Sequence, residues 1–133
     1  MKMNKNIAPW INNDSGDFEL AMTGQTFQLL VNQHKEGLID TSVFMKIIKH
    51  TTIYSRMSPD DKALLIKTLQ NDTDDIIAMC GDGANDCKAL KAADVGLSLS
   101  EVEASIAASF TSKIANISPM IKLLREGRAS LVT

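Results

Sequence analysis

Cysteine is scarce in this chain: Cys80 and Cys87 are the only two among 133 residues, too few for a disulfide framework. A zinc site would need four nitrogen or sulfur ligands at suitable spacing, and His34 and His50 are far from the cysteines in sequence. No apolar run approaches the ~18 residues of a membrane span. The start, Met1-Lys2-Met3-Asn4-Lys5-Asn6, is basic, but no apolar signal-peptide core follows it. There is no internal repeat and no low-complexity segment. A net charge of −2 gives no electrostatic reason to expect nucleic acid or an anionic membrane as a partner. With 44% hydrophobic and 23% charged residues, the composition is that of an ordinary globular domain able to bury a core.

Residues 1–17 are polar and close on Asn12, Asn13, Asp14, Ser15, Gly16 and Asp17, which reads as a flexible arm. Residues 18–22 alternate apolar and polar and predict a short strand. Thr23 then caps a helix to about Lys35, with Phe27, Leu30 and Val31 at helical spacing, and Gly37 ends it. Asp40 or Thr41 caps a second helix with Val43, Phe44, Ile47 and Ile48 as its apolar stripe. Residues 51–55 are β-branched and aromatic, so a strand is expected. Ser58-Pro59-Asp60-Asp61 is a strong helix start, with a serine cap, proline in the first turn and acids beside it. That helix carries Leu64, Leu65, Ile66 and Leu69 and stops near Asn71-Asp72.

Residues 75–80 form a continuous apolar run, expected to be a strand buried on both faces of a parallel sheet. Asn85 or Asp86 caps the next helix, to about Ala92, and residues 94–99 alternate as another strand. A helical turn is expected within 101–108, residues 110–118 are ambiguous, and Pro119 begins a last helix. Strands alternating with helices predict an α/β fold, a mostly parallel sheet flanked by helices. Ligands in such folds bind beyond the carboxyl ends of the strands.

One loop stands at such an end. Gly81-Asp82-Gly83-Ala84-Asn85-Asp86 follows the apolar run Ile76-Ile77-Ala78-Met79-Cys80. Gly81 and Gly83 allow a tight turn and close approach of backbone amides to an anion. Asp82 and Asp86 are hard oxygen ligands suited to Mg²⁺, which takes few protein carboxylates and shares its shell with water and phosphate. Asn85 donates to a phosphate oxygen without adding negative charge. Gly-Asp-Gly alone also occurs in plain turns, and Asp or Asn is a routine helix cap. The longer pattern is neither a Walker A loop nor an EF-hand, because no Gly-Lys-Ser/Thr and no twelve-residue ligand series is present. Cys80 reads as a small core residue at a strand end, and Cys87 as packing on a helix.

Lys62 is the second element. It lies in the first turn of its helix, where a cation is unfavourable for the helix dipole. Two explanations remain at this point: a solvated pair with Asp60 or Asp61, worth little, or an ammonium directed at an anion. The acidic loop favours the second.

Met79-Cys80-Gly81-Asp82-Gly83-Ala84-Asn85-Asp86-Cys87 resembles the hinge motif of P-type ATPases, within the haloacid dehalogenase-like superfamily. Arg56-Met57-Ser58-Pro59 with Lys62, then Leu69-Gln70, resembles the segment that supplies the family's motif lysine. The run from Ala89 to Ser100, with Glu103-Ala104-Ser105, Phe110-Thr111-Ser112 and Arg125-Glu126-Gly127-Arg128, is similar to the type-5 B subgroup. The resemblance covers residues 18–133. It implies the carboxyl-terminal part of a phosphorylation domain, a partial Rossmann-like fold. The parent would be an ATP-driven transporter of cations or polyamines working through a phosphoaspartate. It also implies Mg²⁺ and ATP as cofactors, with nucleotide-binding, actuator and membrane domains of the same protein as partners. The implied location is the cytosolic face of an endosomal, lysosomal or other internal membrane, the segment itself being soluble. Carried onto this sequence, Lys62, Asn85 and Asp86 are catalytic; Lys62, Gly81, Gly83 and Asn85 bind the phosphoryl group; and Asp82 and Asp86 serve the metal.

The departures are equally specific. The family's phosphorylated aspartate lies in D-K-T-G-[TS], and the chain contains no such motif. Asp61-Lys62 continues as Ala63-Leu64 and is not one. The T-G-D motif is also missing, and Lys88 stands where the subgroup usually has glycine. The expectation is therefore a segment without ATPase activity of its own. The alternatives are a free-standing phosphatase of the same superfamily, which would need an amino-terminal D-x-D, or a non-catalytic Mg²⁺-binding module.

Overall fold

The computed structural model describes residues 18–99, 108–112 and 116–132. The arm expected over 1–17 and all but the last residue of the helical turn expected over 101–108 lie outside the described residues. The chain divides into two compact units, Met1–Met57 and Ser58–Thr133.

The first unit is a strand–helix–helix–strand unit. Strand β1 (Leu20–Thr23) is followed by α1 (Gly24–Lys35), α2 (Thr41–His50) and β2 (Thr51–Ser55), and the two strands pair in parallel. Thr23 ends β1 and caps α1, its hydroxyl accepting from the Thr26 amide at 3.3 Å. Gly37, at φ 74°, closes α1 in the left-handed conformation that favours glycine. Asp40 holds the cap position of α2, but its carboxylate accepts from the Ser42 hydroxyl rather than from a helix amide. The core is apolar: Phe27, Phe44, Met45 and Ile48 are buried, and Phe27 meets the Tyr54 ring edge-on at 6.1 Å. The Tyr54 hydroxyl donates to the Ile48 carbonyl at 2.9 Å. Burial pushes the Tyr54 pKa up to about 12, against a smaller lowering by Thr51.

The second unit begins with α3 (Pro59–Asp72), then β3 (Ala78–Gly81), a 3₁₀ turn (Ala84–Asp86), α4 (Cys87–Ala92), β4 (Val95–Ser98), β5 (Phe110–Thr111) and α5 (Ser118–Val132). The helix start read from the sequence is a full capping box. The Ser58 hydroxyl accepts from the Asp61 amide at 3.1 Å, and the Asp61 carboxylate accepts from the Ser58 amide at 3.2 Å. Strands β3, β4 and β5 form one parallel sheet in that order. Both units thus show the expected α/β architecture of parallel strands flanked by helices, as in a partial Rossmann-like domain.

Two strand expectations change. The apolar run at 75–80 is not a strand buried on both faces. The strand begins at Ala78, Ile76 is exposed, and β3 lies at the edge of its sheet among the described residues. The central strand is β4, and there Gly96, Leu97 and Ser98 are buried. Hydrophobicity alone ranks β3 first, whereas burial follows position in the sheet. Within the ambiguous stretch after 109, Phe110 and Thr111 add the third strand, with the Ser112 amide donating to the Ser98 carbonyl at 2.8 Å.

Candidate active site

The acidic loop leaves the carboxyl end of β3, which the parallel register sets beside Ser98 of β4. The Leu99 amide donates to the Gly81 carbonyl at 2.8 Å and fixes the start of the loop. From Gly83 the chain enters the 3₁₀ turn, whose Asp86 amide donates to the Gly83 carbonyl at 3.0 Å. This brings Asp86 back beneath Gly81.

Asp86 is the centre of the arrangement. It stands at the cap position of α4 without capping it. Its carboxylate turns toward α3, where Oδ1 accepts from Lys62 Nζ at 2.8 Å, and Oδ2 accepts from the Asp82 amide at 3.2 Å. The Asp86 side chain is 12% exposed and that of Lys62 31%, so the pair is only partly screened by water. The lysine is thus held by the aspartate of the loop. Asp60 pairs instead with Lys88, Nζ to Oδ1 at 2.6 Å, at the exposed surface. Lys88, beside the loop in sequence, is directed to α3.

The glycines have different reasons. A Cβ on Gly81 would lie 2.5 Å from the Asp86 Cβ and 2.7 Å from its Oδ2, so glycine is required by the carboxylate packed against it. Gly83 sits at φ −142° and ψ 177°, extended backbone that any residue adopts, and the expected need for glycine in the turn does not apply there. Of the loop amides expected to be open to an anion, that of Asp82 donates instead to Asp86 Oδ2.

Asp82 and Asn85 are exposed at the rim of the loop. No group of three or more histidine, cysteine, aspartate or glutamate side chains placed to hold a metal ion occurs among the described residues. The loop carries two carboxylates, Asp82 and Asp86, a pair of the kind that a hard ion completing its shell with water and phosphate would accept. Neither Cys80 nor Cys87 is in a disulfide and both are half-buried, so Cys80 is less enclosed than the core residue expected at the strand end. Burial, then the charges of Asp82 and Asp86, push the Cys80 thiol pKa up.

Sequence reasoning brought Lys62, Asp82, Asn85 and Asp86 to one region, and the structure joins Lys62, Asp82 and Asp86 by direct bonds. It missed the direct pairing of Lys62 with Asp86 and the Asp60–Lys88 bridge. The only signal for either was charge on two separate helices, with nothing to fix which charges meet. It also missed Ser98, fully buried beside the loop.

No protein-family model matches the chain. It is 53% identical over 117 residues to the vacuolar cation-transporting ATPase YPK9 of Saccharomyces cerevisiae, covering 88% of this chain and 8% of that protein. It is 48% identical over 116 residues to the human polyamine-transporting ATPase 13A3, covering 87% and 9%. The probable cation-transporting ATPase catp-6 of Caenorhabditis elegans is 46% identical over 119 residues, 90% of this chain and 9% of that protein. The chain thus spans under a tenth of the length of these curated relatives. No helix among the described residues is long and apolar enough to cross a membrane.

Proposed function

This chain belongs, as a short segment, to the P-type ATPase family of the 13A cation and polyamine transporters, and from that premise we propose that it forms the magnesium and phosphate side of an aspartyl-phosphorylation site. On this reading the segment is the carboxyl-terminal part of a phosphorylation domain on the cytosolic face of an internal membrane. Its partners are the nucleotide-binding, actuator and membrane parts of the same protein. The parent couples ATP hydrolysis to transport of a cation or polyamine.

The observation that carries the reading is the Lys62–Asp86 pair at the carboxyl end of β3, with the carboxylate-bearing Asp82 exposed beside it. A phosphoryl group in transfer spreads negative charge over its oxygens, and the protein's part is positioning and charge stabilisation. Asp86 fixes the Lys62 ammonium at the loop, where it is available to a phosphoryl oxygen. The absence of a Cβ at Gly81 lets that aspartate sit close under the loop. Asn85 offers an uncharged donor from the exposed rim. Asp82, with Asp86 in support, would hold Mg²⁺. When bound, that ion neutralises charge on the phosphoryl oxygens. Lys62 limits the repulsion between the two carboxylates by neutralising Asp86.

The aspartate that carries the phosphoryl group comes from another segment of the parent, since no D-K-T-G-[TS] motif is present in this one. The 133-residue chain by itself is therefore expected to release no phosphate from ATP. The reading is tested in the intact parent by measuring the acid-stable phosphoenzyme formed from labelled ATP. Asp82→Asn and Lys62→Ala should each lower its rate of formation by about 100-fold or more, the scale of losing one preorganised electrostatic contact. Wild-type phosphoenzyme formation in both variants would refute the assignment.

A further inference from the structure

A groove of about 500 Å³ runs between α3 and α4, outside the acidic loop. Asp60, Ala63, Leu64 and Lys67 line it from α3, at the spacing of a single helix face, and Lys88, Lys91 and Ala92 line it from α4. Its floor is short and apolar: Ala63, Leu64 and Ala92 are half-buried. Its rim is cationic, with three lysines against one aspartate. Lys88 is tied to Asp60 across the groove at 2.6 Å. Lys67 and Lys91 are exposed, and neither has an ion-pair partner among the described residues. The patch therefore reverses the sign of a chain whose net charge is −2.

We propose that this groove is a docking surface for an acidic peptide segment that carries an aliphatic residue among its carboxylates. The inference is independent of the role assigned to the loop. Charge complementarity selects the anionic partner, and the arrangement of charges selects a peptide. Sites for a single phosphate gather donors around one point, through a backbone nest or an arginine fork. Here the ammonium groups stand on separate helices and successive turns, with an apolar strip between them. Such spacing matches carboxylates distributed along a chain. The alanines in the floor leave room for one aliphatic side chain to be covered by the lysine stems.

The test uses the 133-residue chain and a short fluorescein-labelled peptide of glutamates flanking one leucine, followed by fluorescence anisotropy. The Lys67→Glu/Lys91→Glu double variant should bind about tenfold or more weakly, consistent with charge reversal at an interface. Replacing the peptide's leucine by serine should weaken binding too, and added salt should lower affinity. Circular dichroism checks that the double variant is folded. Lys67→Gln/Lys91→Gln serves as a second variant should the first not fold. Undiminished binding by the folded double variant overturns the proposal. It is also overturned if polyphosphate displaces the peptide as well as unlabelled peptide does, or if phosphatidylserine vesicles bind the chain with the same dependence on Lys67 and Lys91. A dimer of the chain that dissociates on the double substitution would assign the groove to a second copy and overturn it as well.

Discussion

The two compact units bury different chemistry. In the first, the residues least exposed are Phe27, Ile48 and Phe44, and the buried polar residue Thr51 bonds the Ile47 carbonyl one turn back. In the second, Ala89, Leu90 and Leu97 share the interior with Asp61, Asp86 and Ser98. Asp61 is buried because it closes the cap of α3, and Asp86 because it holds Lys62 and the loop. Burying a carboxylate is costly unless it is paired and hydrogen-bonded. Among the described residues, the first unit therefore has an almost wholly apolar interior. The second accepts polar burial where a charged group must be held in one orientation.

That contrast is sharpened by four measurements. The largest effect is expected from Phe27→Ala, which empties the fully buried centre of the first unit. Chemical denaturation should show a loss of about 3–5 kcal/mol. A loss below about 1 kcal/mol would show that this core is not the packed centre described.

Gly81→Ala comes next, in the second unit. The added methyl group meets Asp86 at 2.5 Å, so the carboxylate or the loop must shift. A stability loss of about 1–3 kcal/mol is expected from overpacking. The Lys62 ammonium resonance should move as its partner is displaced. An unchanged resonance would break the link between this glycine and the ion pair.

The third is a pH dependence confined to the first unit. The Tyr54 pKa is raised from 10.0 in the unfolded range to about 12 in the fold. The folded state therefore keeps its proton more tightly. Its contribution is fully present below pH 10 and is lost as pH rises from about 10 to 12. Tyr54→Phe should remove this part of the alkaline loss, while costing about 1 kcal/mol at neutral pH through the missing bond to Ile48. An identical stability profile above pH 10 in wild type and variant would contradict it.

The smallest effect is on the Cys80 thiol. Burial comes first, and the charges of Asp82 and Asp86 second and third, in raising its pKa. Asp82→Asn should therefore modestly accelerate alkylation of Cys80 by iodoacetamide near neutral pH, because the thiolate is the reacting form. Mass spectrometry of the labelled peptide reads this directly. No acceleration would place Asp82 outside electrostatic reach of the thiol.

Local cap signals in the sequence held in three places and failed at Asp40 and Asp86, which occupy cap positions but turn their carboxylates elsewhere. Thr23, Gly37 and the Ser58–Asp61 box behave as read, since a cap is completed within three or four positions of its own chain. The position of the acidic loop after a strand was legible for the same reason. The edge position of β3 was not. An apolar run such as 76–80 says that a segment avoids water, but not how many strands flank it.

The chain's order of residues by itself determined the helices, the strands β1 to β4 and a loop with two carboxylates following a strand. Spacing along the backbone suffices for each of these. Tertiary structure alone decided which charges meet: Lys62 with Asp86, 24 positions away, and Asp60 with Lys88, 28 positions away. It alone decided that Gly81 must lack a side chain, because the carboxylate that would be struck arrives from the following turn. Ion pairs are set by distance in space, and only the packing of α3 against α4 brings those side chains within a bond of each other.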